Sequence, residues 1–406
     1  MNEVLQQVIR RARKSQFYRH LPKGASFQEM SITSKMDLRN GYPYGFLAVD
    51  LEQVASYHES TGTEGKAVSS YFTPHDWDDV VSRFLRNAVN LKAQDIFFIK
   101  TPYSMVTTAH QAQRAAERVK ALVVPADNRS SNMGYDRVIQ LLRDLNVTVS
   151  WSLPTEVLLW RIAVELRGWS IEAFASLRAF WVAGEPFSQA KKMAISDLWN
   201  GKSVFEDYGS TETGSIAGEC SAGSLHAWTD RIKCEVFHPD DRSITDFGRG
   251  QLLVTPLFRE AMPLIRYLIE DEVELTEPTC ECGSTYSCLR VLGRASDSIR
   301  VGNRVLYPLI VEDAVFRAGR DARLVLWRGF PMNQTLHIEF FGLNQYSNET
   351  KIENMISDEL SISVKVKRKE LNDFVDPERL MAPNRFAKPR FLFNRREESL
   401  RGIEYL

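Results

Sequence analysis

The sequence lacks the features that define membrane, secreted and nucleic-acid-binding proteins. It has no apolar run near the ~20 residues that span a bilayer, and its first residues mix charged and apolar groups unlike a secretory signal. Its formal net charge of −1 gives no general attraction to nucleic acid or to an anionic membrane. Internal repeats and low-complexity segments are absent too. We therefore expect a globular protein with neither a nucleic-acid nor a membrane partner.

Cysteine is also scarce. The chain has five cysteines, an odd number, and three of them lie between Thr279 and Leu289. This distribution is unlike a disulfide framework and indicates a reducing compartment. The predicted location is the cytoplasm.

What is present predicts an α/β protein with more than one domain. A chain of 406 residues exceeds one ordinary core, and 44% hydrophobic with 25% charged residues is typical of globular proteins. Helical patterns, such as 73–91, alternate with short apolar runs, which predicts a doubly wound, mainly parallel sheet. The predicted strands are 96–99, 121–125, 147–151 and 179–183, and the first two are expected to be buried.

The texture of the chain changes twice beyond this region. Shorter alternating strands from about residue 225 predict a β-rich subdomain at about 220–292. The segment 293–297 is predicted to be a hinge, and the helix and strand patterns that follow it make a small α+β unit. We therefore expect a large N-terminal domain, 1–296, and a small mobile C-terminal domain, 297–406.

Two segments rich in glycine and hydroxyl groups carry the candidate chemistry. The first, 59–66, offers backbone N–H groups, hydroxyls and the charge of Lys66 to phosphate oxygens. Its glycine spacing differs from that of the P-loop, so a plain flexible loop is the alternative. The second, Phe205 to Gly214, follows an apolar run that ends at Ala183-Gly184-Glu185-Pro186. By itself it is equally typical of an exposed turn between a strand and a helix.

Taken together, five segments in this order resemble the motifs of the adenylate-forming acyl/aryl-CoA synthetases. They are the phosphate loop Ser60-Thr61-Gly62-Thr63-Glu64-Gly65, the adenine turn 183–186, Tyr208-Gly209-Ser210-Thr211-Glu212, Arg266-Tyr267 with Asp271, and the hinge Gly293-Arg294 with Asp297. Segments 15–19, 258–263 and 280–283 are similar to the phenylacetate–CoA ligase branch of that superfamily.

The resemblance implies a site for ATP, Mg²⁺ and an organic acid, with CoA as the acceptor. Lys388 would bridge the acid and the α-phosphate, Glu212 would hold Mg²⁺, and Arg294 would lie near the ribose and phosphate. The implied ATP- or AMP-binding residues are Ser60, Thr61, Gly62, Thr63, Gly65, Lys66, Gly184, Glu185, Pro186, Asp207, Tyr208, Gly209, Ser210, Thr211 and Asp271. The acid is expected to be aromatic, near Tyr103, His110, Trp181 and Ala183, although core or surface roles fit Tyr103 and His110 equally well.

Three departures from the family pattern leave alternatives open. Glu64 places a carboxylate in the phosphate loop, which favours a catalytically silent nucleotide-binding scaffold. Ala387 and Pro389 flank Lys388, so Arg385 or Arg390 is an alternative cation. Gly302-Asn303 stands where the family has an Arg-Gly pair, so a carrier-protein thiol or an amine is an alternative acceptor. The sequence also leaves a homodimer open.

Four further residues are of the types that Zn²⁺ accepts: Cys220, His226, Cys280 and Cys282. Their spacing, C-x5-H and C-x-C separated by a long gap, means that only the fold can bring them together. Some members of the resembled branch carry a zinc site at such positions, so a structural Zn²⁺ is expected. The alternative is that the three cysteines are ordinary buried thiols and that the histidine lies at the surface. Cys234 and Cys288 are interpreted as core or surface thiols.

Overall fold

The computed structural model describes residues 2–60, 67–128, 130, 132–382, 390–396 and 398. The α-helices of these residues are α1 Asn2–Ala12, α2 Lys35–Asn40, α3 Pro74–Phe84, α4 Thr108–Val119, α5 Tyr135–Asp144, α6 Pro154–Leu166, α7 Gln189–Leu198, α8 Pro308–Ala318, α9 Glu349–Leu360 and α10 Pro377–Met381. The strands are β1 Ser56–Ser60, β2 Val68–Phe72, β3 Ile96–Lys100, β4 Leu122–Pro125, β5 Val149–Ser152, β6 Ala179–Val182, β7 Ser203–Ser210, β8 Gly214–Glu219, β9 Leu225–Ala227, β10 Ile232–His238, β11 Ser243–Thr245, β12 Gly248–Pro256, β13 Tyr267–Thr276, β14 Cys288–Arg294, β15 Ile299–Val301, β16 Arg304–Leu306, β17 Leu324–Met332, β18 Thr335–Gly342 and β19 Val364–Arg368.

The chain forms two compact units. Unit 1 is drawn from 1–92, 102–120 and 207–291, and unit 2 from 93–101, 121–206 and 292–406. Both units are thus assembled from segments that are distant in the chain. The boundary at 296/297 between a large and a small mobile domain stays a prediction.

Unit 2 contains a parallel sheet in the order β7-β6-β5-β3-β4. The strands β3, β5 and β6 are short apolar runs whose residues are almost all buried, as the alternation of strands and helices predicted. The prediction that 121–125 is a buried strand is wrong. β4 lies at the sheet edge, where it pairs with β3 alone, and Leu122 is 56% exposed.

The rest of unit 2 is formed by the C-terminal part of the chain, which has a sheet of its own. A three-stranded sheet in the order β17-β18-β19 packs against α9, and α9 packs against α8, as the α+β pattern predicted. Its apolar side chains belong to the same buried cluster as Phe98 of β3 and Trp160 of α6. Segments 93–206 and 292–382 therefore share one hydrophobic core.

Unit 1 holds a largely antiparallel sheet in the order β11-β10-β12-β13-β14-β9-β8-β7 and the separate hairpin β1–β2. β7 contributes to both sheets, because its residues 203–206 pair with β6 and its residues 207–210 pair with β8. An α/β protein with a parallel sheet and a β-rich region is thereby confirmed. The alternative of an exposed turn is wrong for residues 205–210, since they form strand β7 and strand β8 follows.

Two helices of unit 1 show how local chemistry sets the elements. α1 is amphipathic and buries the apolar side chains of Leu5, Val8 and Ile9. α3 begins with a capping box in which Thr73 and Asp76 satisfy each other's backbone N–H groups. It ends at Phe84, earlier than predicted. Beyond that point the N–H of Ala88 bonds to the carbonyl of Glu219 in β8.

No helix of the described residues is both long enough and apolar enough to cross a membrane.

Candidate functional site

The structure brings together two residues that lie far apart in the second half of the sequence. Tyr208 stands on β7 and Asp271 on β13, and the Tyr208 hydroxyl donates to Asp271 Oδ2 over 2.7 Å. Both residues are partly exposed. A carboxylate next to a phenol at an accessible position can accept hydrogen bonds from the two hydroxyls of a ribose while the ring borders a base.

Glu212 lies in the turn that joins β7 to β8. Its residue is 3% exposed, and its Oε1 atom is buried without a hydrogen-bond partner among the described residues. A buried carboxylate oxygen without a partner costs free energy unless a ligand or ion satisfies it. The donor type, a hard carboxylate oxygen, is the type that Mg²⁺ accepts. The residue present therefore fits the predicted metal-binding role.

The other residues of the same segment have structural contacts. Asp207 is buried and its Oδ1 accepts from the Ser215 hydroxyl over 2.8 Å. The hydroxyls of Ser210 and Thr213 lie 3.0 Å apart across the turn. A Cβ at Gly209 would lie 2.3 Å from the carbonyl oxygen of Gly214, so the tight β7–β8 turn requires glycine there. Roles for Asp207, Gly209 and Ser210 beside the nucleotide stay predictions.

The predicted phosphate loop begins at Ser60, the last residue of β1, whose partner across the hairpin is Val68 of β2. The Ser60 hydroxyl oxygen is buried and has no hydrogen-bond partner within the part of the chain that the structure describes. Thr61, Gly62, Thr63, Gly65 and Lys66 lie outside the described residues, as do Glu64, Arg385 and Lys388.

The adenine turn belongs to unit 2, directly after β6. Gly184 has φ +92°, and a Cβ there would lie 2.9 Å from Leu153 Cδ2, so the turn favours glycine. The Glu185 side chain is buried, and its Oε2 accepts from the Thr155 hydroxyl over 2.6 Å and from Lys191 Nζ over 3.3 Å. Ala183 and Pro186 are half-buried. The placement of this turn beside an adenine stays a prediction.

The predicted hinge lies at the end of β14. Gly293 is buried with φ +109°, and a Cβ there would lie 3.3 Å from Cδ of Pro308, the first residue of α8. Arg294 follows it and is exposed, whereas Asp297 closes a short 3₁₀ turn. An exposed guanidinium at this point fits contact with a phosphate or a ribose, and that role stays a prediction.

Tyr103 and His110, two residues predicted to lie near the acid, contact each other and His58 in unit 1. The centroid of the His110 ring lies 5.6 Å from that of Tyr103 and 5.1 Å from that of His58. His110 Nε2 lies 2.8 Å from the Tyr103 carbonyl oxygen. His58 is buried, and burial followed by the nearby His110 lowers its pKa to about 4. In unit 2, Trp181 is fully buried against Trp151, with ring centroids 5.4 Å apart. His58 carried no sequence signal, because only the β1–β2 hairpin brings it to His110.

The four predicted metal ligands come together in unit 1. The ligand atoms of Cys220, His226, Cys280 and Cys282 all lie within 4.8 Å of one another. The two sulfur atoms of Cys220 and Cys280 are 3.7 Å apart, and Cys282 Sγ lies 3.3 Å from His226 Nε2. Tetrahedral zinc with Zn–S bonds of about 2.3 Å separates its sulfurs by roughly 3.8 Å. The donor set therefore fits a closed structural zinc site.

The orientation of His226 supports the same fit. Its Nδ1 lies 2.9 Å from the Tyr286 carbonyl oxygen, so Nδ1–H donates there and Nε2 is left to face the thiols. Hydrogen bonds, the first from Ser224, lower the pKa of the Cys280 thiol to about 6. Cys234 is a buried core thiol, as expected, whereas Cys288 Sγ lies 4.0 Å from His226 Nδ1.

Two buried arginines near the Glu212 turn were not predicted as site residues. Arg83 of α3 and Arg259 are buried in unit 1, and both donate to backbone carbonyls. Arg259 lies in segment 258–263, which resembles the phenylacetate–CoA ligase branch. Nothing in that segment indicates what the arginine would contact. Arg83 occupies an ordinary helical position. Only the folded structure shows what these two residues contact.

The comparisons with known proteins give a consistent result. No family model matches the chain. It is 31% identical over 316 residues to the phenylacetate–coenzyme A ligase of Thermus thermophilus, an alignment that covers 73% of this chain and 69% of that relative. It is 30% identical over 300 residues to that of Aromatoleum evansii, covering 72% and 66%, and 28% identical over 301 residues to that of Escherichia coli, covering 72% and 67%. The alignments thus span about two thirds of these relatives.

Solved structures share the fold. A 2-hydroxyisobutyryl-CoA ligase in its postadenylation state, in complex with 2-HIB-AMP, matches with a TM-score of 0.82 at 19% identity, covering 98% of this chain and 89% of that one. The anthranilate CoA ligase AuaEII in complex with anthranoyl-AMP matches with a TM-score of 0.57 at 15% identity, covering 79% and 64%.

Proposed function

Because the chain belongs to the phenylacetate–coenzyme A ligase family of adenylate-forming acid–thiol ligases, we propose that it converts an aromatic carboxylic acid and Mg·ATP to an acyl-adenylate and passes the acyl group to CoA. The first half-reaction joins two anions, so its site must neutralise charge that builds on the α-phosphate. Residues from both halves of the sequence would neutralise this charge.

The observation that carries the proposal is the hydrogen bond between Tyr208 and Asp271 in unit 1, together with the buried carboxylate of Glu212 in the turn that follows the strand of Tyr208. Asp271 would accept from the ribose hydroxyls and Tyr208 would border the adenine. Mg²⁺, when bound, would supply positive charge to the phosphate oxygens. Glu212 would hold it through the Oε1 atom that is left without a protein partner among the described residues.

The remaining roles rest on the family motifs. Ser60 and residues 61–66 would bind the β- and γ-phosphates, the turn 183–186 would border the adenine, and Arg294 would contact the ribose and phosphate. Lys388 would bridge the acid and the α-phosphate from a C-terminal domain, 297–406, that moves about the hinge at 293–297. Correct positioning of two reactants can lower a barrier by roughly 7–11 kcal/mol.

The test of the first half-reaction is acid-dependent exchange of labelled pyrophosphate into ATP. A panel of aryl and alkyl acids is expected to show exchange, fastest with aryl acids, since the proposed pocket holds the rings of His58, Tyr103 and His110. Fastest exchange with alkyl acids would overturn the aromatic assignment. Failure with every acid would favour the silent scaffold that Glu64 suggests.

The acceptor is tested separately. Gly302 and Asn303 form the tip of the β15–β16 hairpin, where the family has an Arg-Gly pair, so the CoA assignment has its own test. We expect thioester formation when CoA is added to the acyl-adenylate. Exchange without a thioester would favour a carrier-protein thiol or an amine as the acceptor.

The catalytic cation is tested with two single substitutions. Lys388→Ala is expected to abolish exchange while leaving ATP binding, measured by calorimetry, within a few-fold of the parent. Arg390→Ala is the matched control, because Arg390 Nε already donates to the Leu392 carbonyl over 2.9 Å and its guanidinium lies against Phe393. Loss of exchange in Arg390→Ala with normal exchange in Lys388→Ala would reverse the assignment.

We also propose that Cys220, His226, Cys280 and Cys282 hold one structural Zn²⁺ that stabilises the β-rich part of unit 1. Elemental analysis is expected to find about one zinc per chain. Cys282→Ser is expected to lose zinc and to lower the midpoint of thermal unfolding. Cys234→Ser, in a core thiol outside the cluster, serves as the control and should keep its zinc. Absence of zinc from the parent protein would contradict the proposal.

Two further expectations complete the proposal. Scarce and clustered cysteines favour the cytoplasm, which cell fractionation can check. A homodimer stays a prediction, and sedimentation equilibrium can decide it.

A further inference from the structure

Ser70 links a buried arginine to the turn that carries Glu212. Ser70 lies on β2, is fully buried, and its hydroxyl donates to the carbonyl oxygen of Thr211 over 3.3 Å. The same hydroxyl oxygen accepts from Arg259 Nη2 over 3.3 Å. A relay therefore runs from Arg259 through Ser70 to the residue just before Glu212.

Arg259 is itself held on several sides. Its Nη2 also donates to the Tyr71 carbonyl over 2.7 Å, and its guanidinium carbon lies 3.4 Å from the centroid of the Phe72 ring. Its Nε lies 3.9 Å from Asp76 Oδ2. Asp76 accepts from the backbone N–H groups of Glu260 and Ala261, the two residues that follow Arg259. Asp76 therefore holds both the side chain of the arginine and the backbone next to it.

A second buried arginine holds the other side of Glu212. Arg83 Nη2 donates to the carbonyl oxygen of Thr213 over 3.0 Å, and its Nε contacts Asp79 Oδ2 over 3.0 Å. Asp79 in turn accepts from Arg231 Nε over 2.6 Å. The carbonyls of the two residues that flank Glu212 are thus both held: that of Thr211 by Ser70, to which Arg259 donates, and that of Thr213 directly by Arg83.

We propose that Arg259, acting through Ser70, and Arg83 are positioning residues that hold the Glu212 carboxylate ready for the metal of Mg·ATP. This inference rests on the proposed function.

The geometry separates positioning from neutralisation. Both arginines contact backbone carbonyls, while Glu212 Oε1 has no hydrogen-bond partner in the described part of the chain. A direct ion pair would occupy the oxygen that the metal needs. Burial lowers the pKa of Arg259 to about 10, against the opposing charges of Asp76, Asp79 and Glu212, so the guanidinium stays charged at neutral pH. Mutating a group that orients a metal ligand through hydrogen bonds typically changes metal affinity 10- to 100-fold.

Two neighbouring serines make a matched test. Ser70→Ala removes the relay hydroxyl. Ser69→Ala removes a hydroxyl from the adjacent buried residue of β2, which donates to the Pro43 carbonyl over 2.8 Å instead. The probe is Mn²⁺, titrated at saturating non-hydrolysable ATP analogue and followed by electron paramagnetic resonance. We expect the apparent Kd for Mn²⁺ to rise about tenfold in Ser70→Ala and less than twofold in Ser69→Ala.

Kinetics and a mutant cycle separate positioning from a merely structural role. Pyrophosphate exchange in Ser70→Ala should recover when Mg²⁺ is raised, whereas a loss of folded protein would lower the rate at every Mg²⁺ concentration. In a Glu212→Ala background, Ser70→Ala should have no further effect on Mn²⁺ affinity. Arg83→Lys and Arg259→Lys should weaken Mn²⁺ as well, whereas Arg249→Lys on the half-exposed face of β12 should not.

The outcomes distinguish a failure of this inference from a failure of the metal role in the proposed function. Equal Mn²⁺ affinities in Ser70→Ala and Ser69→Ala, with a weakened Glu212→Ala, would overturn this inference alone. An unchanged affinity in Glu212→Ala would overturn the metal role in the proposed function and this inference with it.

Discussion

Unit 1 and unit 2 both bury cations that contact carboxylates, but the cations of unit 1 also bind the backbone. Arg83 pairs with Asp79 and, like Arg259, donates to a backbone carbonyl. The nearby carboxylate of Glu212 keeps an oxygen without a hydrogen bond among the described residues. In unit 2, Lys191 lies 3.3 Å from Glu185 Oε2 and 3.0 Å from Glu312 Oε2. Buried charge therefore prepares a ligand position in unit 1 and ties helices together in unit 2.

The unit 2 cluster joins two helices that are distant in sequence. Lys191 lies on α7 and Glu312 on α8, and the Ser188 N–H at the start of α7 donates to Glu312 Oε1 over 2.9 Å. A carboxylate at this end of a helix is favourable because the backbone N–H groups there are unsatisfied. Glu312 and Glu185 outweigh the effect of burial and raise the pKa of Lys191. The lysine is thus charged and shared by two carboxylates.

The largest predicted effect is therefore in unit 2. Lys191→Met should leave two buried carboxylates without their cation and lower the free energy of unfolding by about 3–5 kcal/mol. The measurement is urea denaturation at pH 7. Lys367→Met, at an exposed position of β19 in the same unit, is the control and should change it little. Equal losses in the two variants would contradict the assigned role of Lys191.

The same change in unit 1 should be milder. Arg83→Met removes one cation, but Asp79 keeps its ion pair with Arg231, so no buried carboxylate loses its last partner. We expect a loss of about 1–3 kcal/mol, mainly from the unsatisfied Thr213 carbonyl. Urea denaturation checks this value. A loss larger than that of Lys191→Met would reverse the contrast between the units.

Acid should weaken unit 1 through His58. The pKa of His58 is lowered to about 4 in the fold, below its ordinary value of 6.5, because the ring is buried. Between these values the unfolded chain takes up a proton that the folded chain does not, so stability is present above about pH 6.5 and is lost as pH falls toward 4. His58→Gln should reduce this loss in denaturation series from pH 7 to 5. His75→Gln, in a side chain that is 80% exposed, is the control.

Alkali should weaken unit 2 through Glu156. Burial raises the pKa of Glu156 to about 7 from 4.5, although Lys100 Nζ, 3.6 Å away, opposes the shift. The folded chain therefore holds a proton that the unfolded chain releases, so this stability is present below about pH 4.5 and is lost as pH rises through 7. Glu156→Gln should flatten the slope between pH 5 and 8. An unchanged slope would show that another group titrates there.

Most elements of the fold could be predicted because their patterns are local. The helix that begins near residue 73 and the strands near 96–99, 147–151 and 179–183 follow from local apolar patterns. The β4 edge could not be predicted, since a continuous apolar run looks the same at an edge and in the middle of a sheet. α3 ends earlier than its pattern, and beyond it the Ala88 N–H bonds to the Glu219 carbonyl of β8, a partner that the local pattern does not contain.

The site was predictable only where a motif carries the chemistry. The residue types of Tyr208, Glu212 and Asp271, in motifs similar to those of a known family, predict a site for a nucleotide and a metal ion. Three cysteines and His226 predict a second metal site. The hydrogen bond between Tyr208 and Asp271 and the convergence of Cys220 with Cys280 support these expectations. Arg83, Arg259, Ser70 and His58 carried no signal, because an arginine or serine on an ordinary element shows nothing of its partner.

The element types, the order of the motifs and the chemical character of the candidate ligands can be read from short stretches of residues, because they depend on side-chain period, on glycine and on residue type. Which carboxylates have hydrogen-bond partners, and which are left for a ligand, is known from the folded chain alone. That distinction depends on burial and on partners more than a hundred residues away, as between Arg83 and Thr213 or Lys191 and Glu312, and no local pattern contains it.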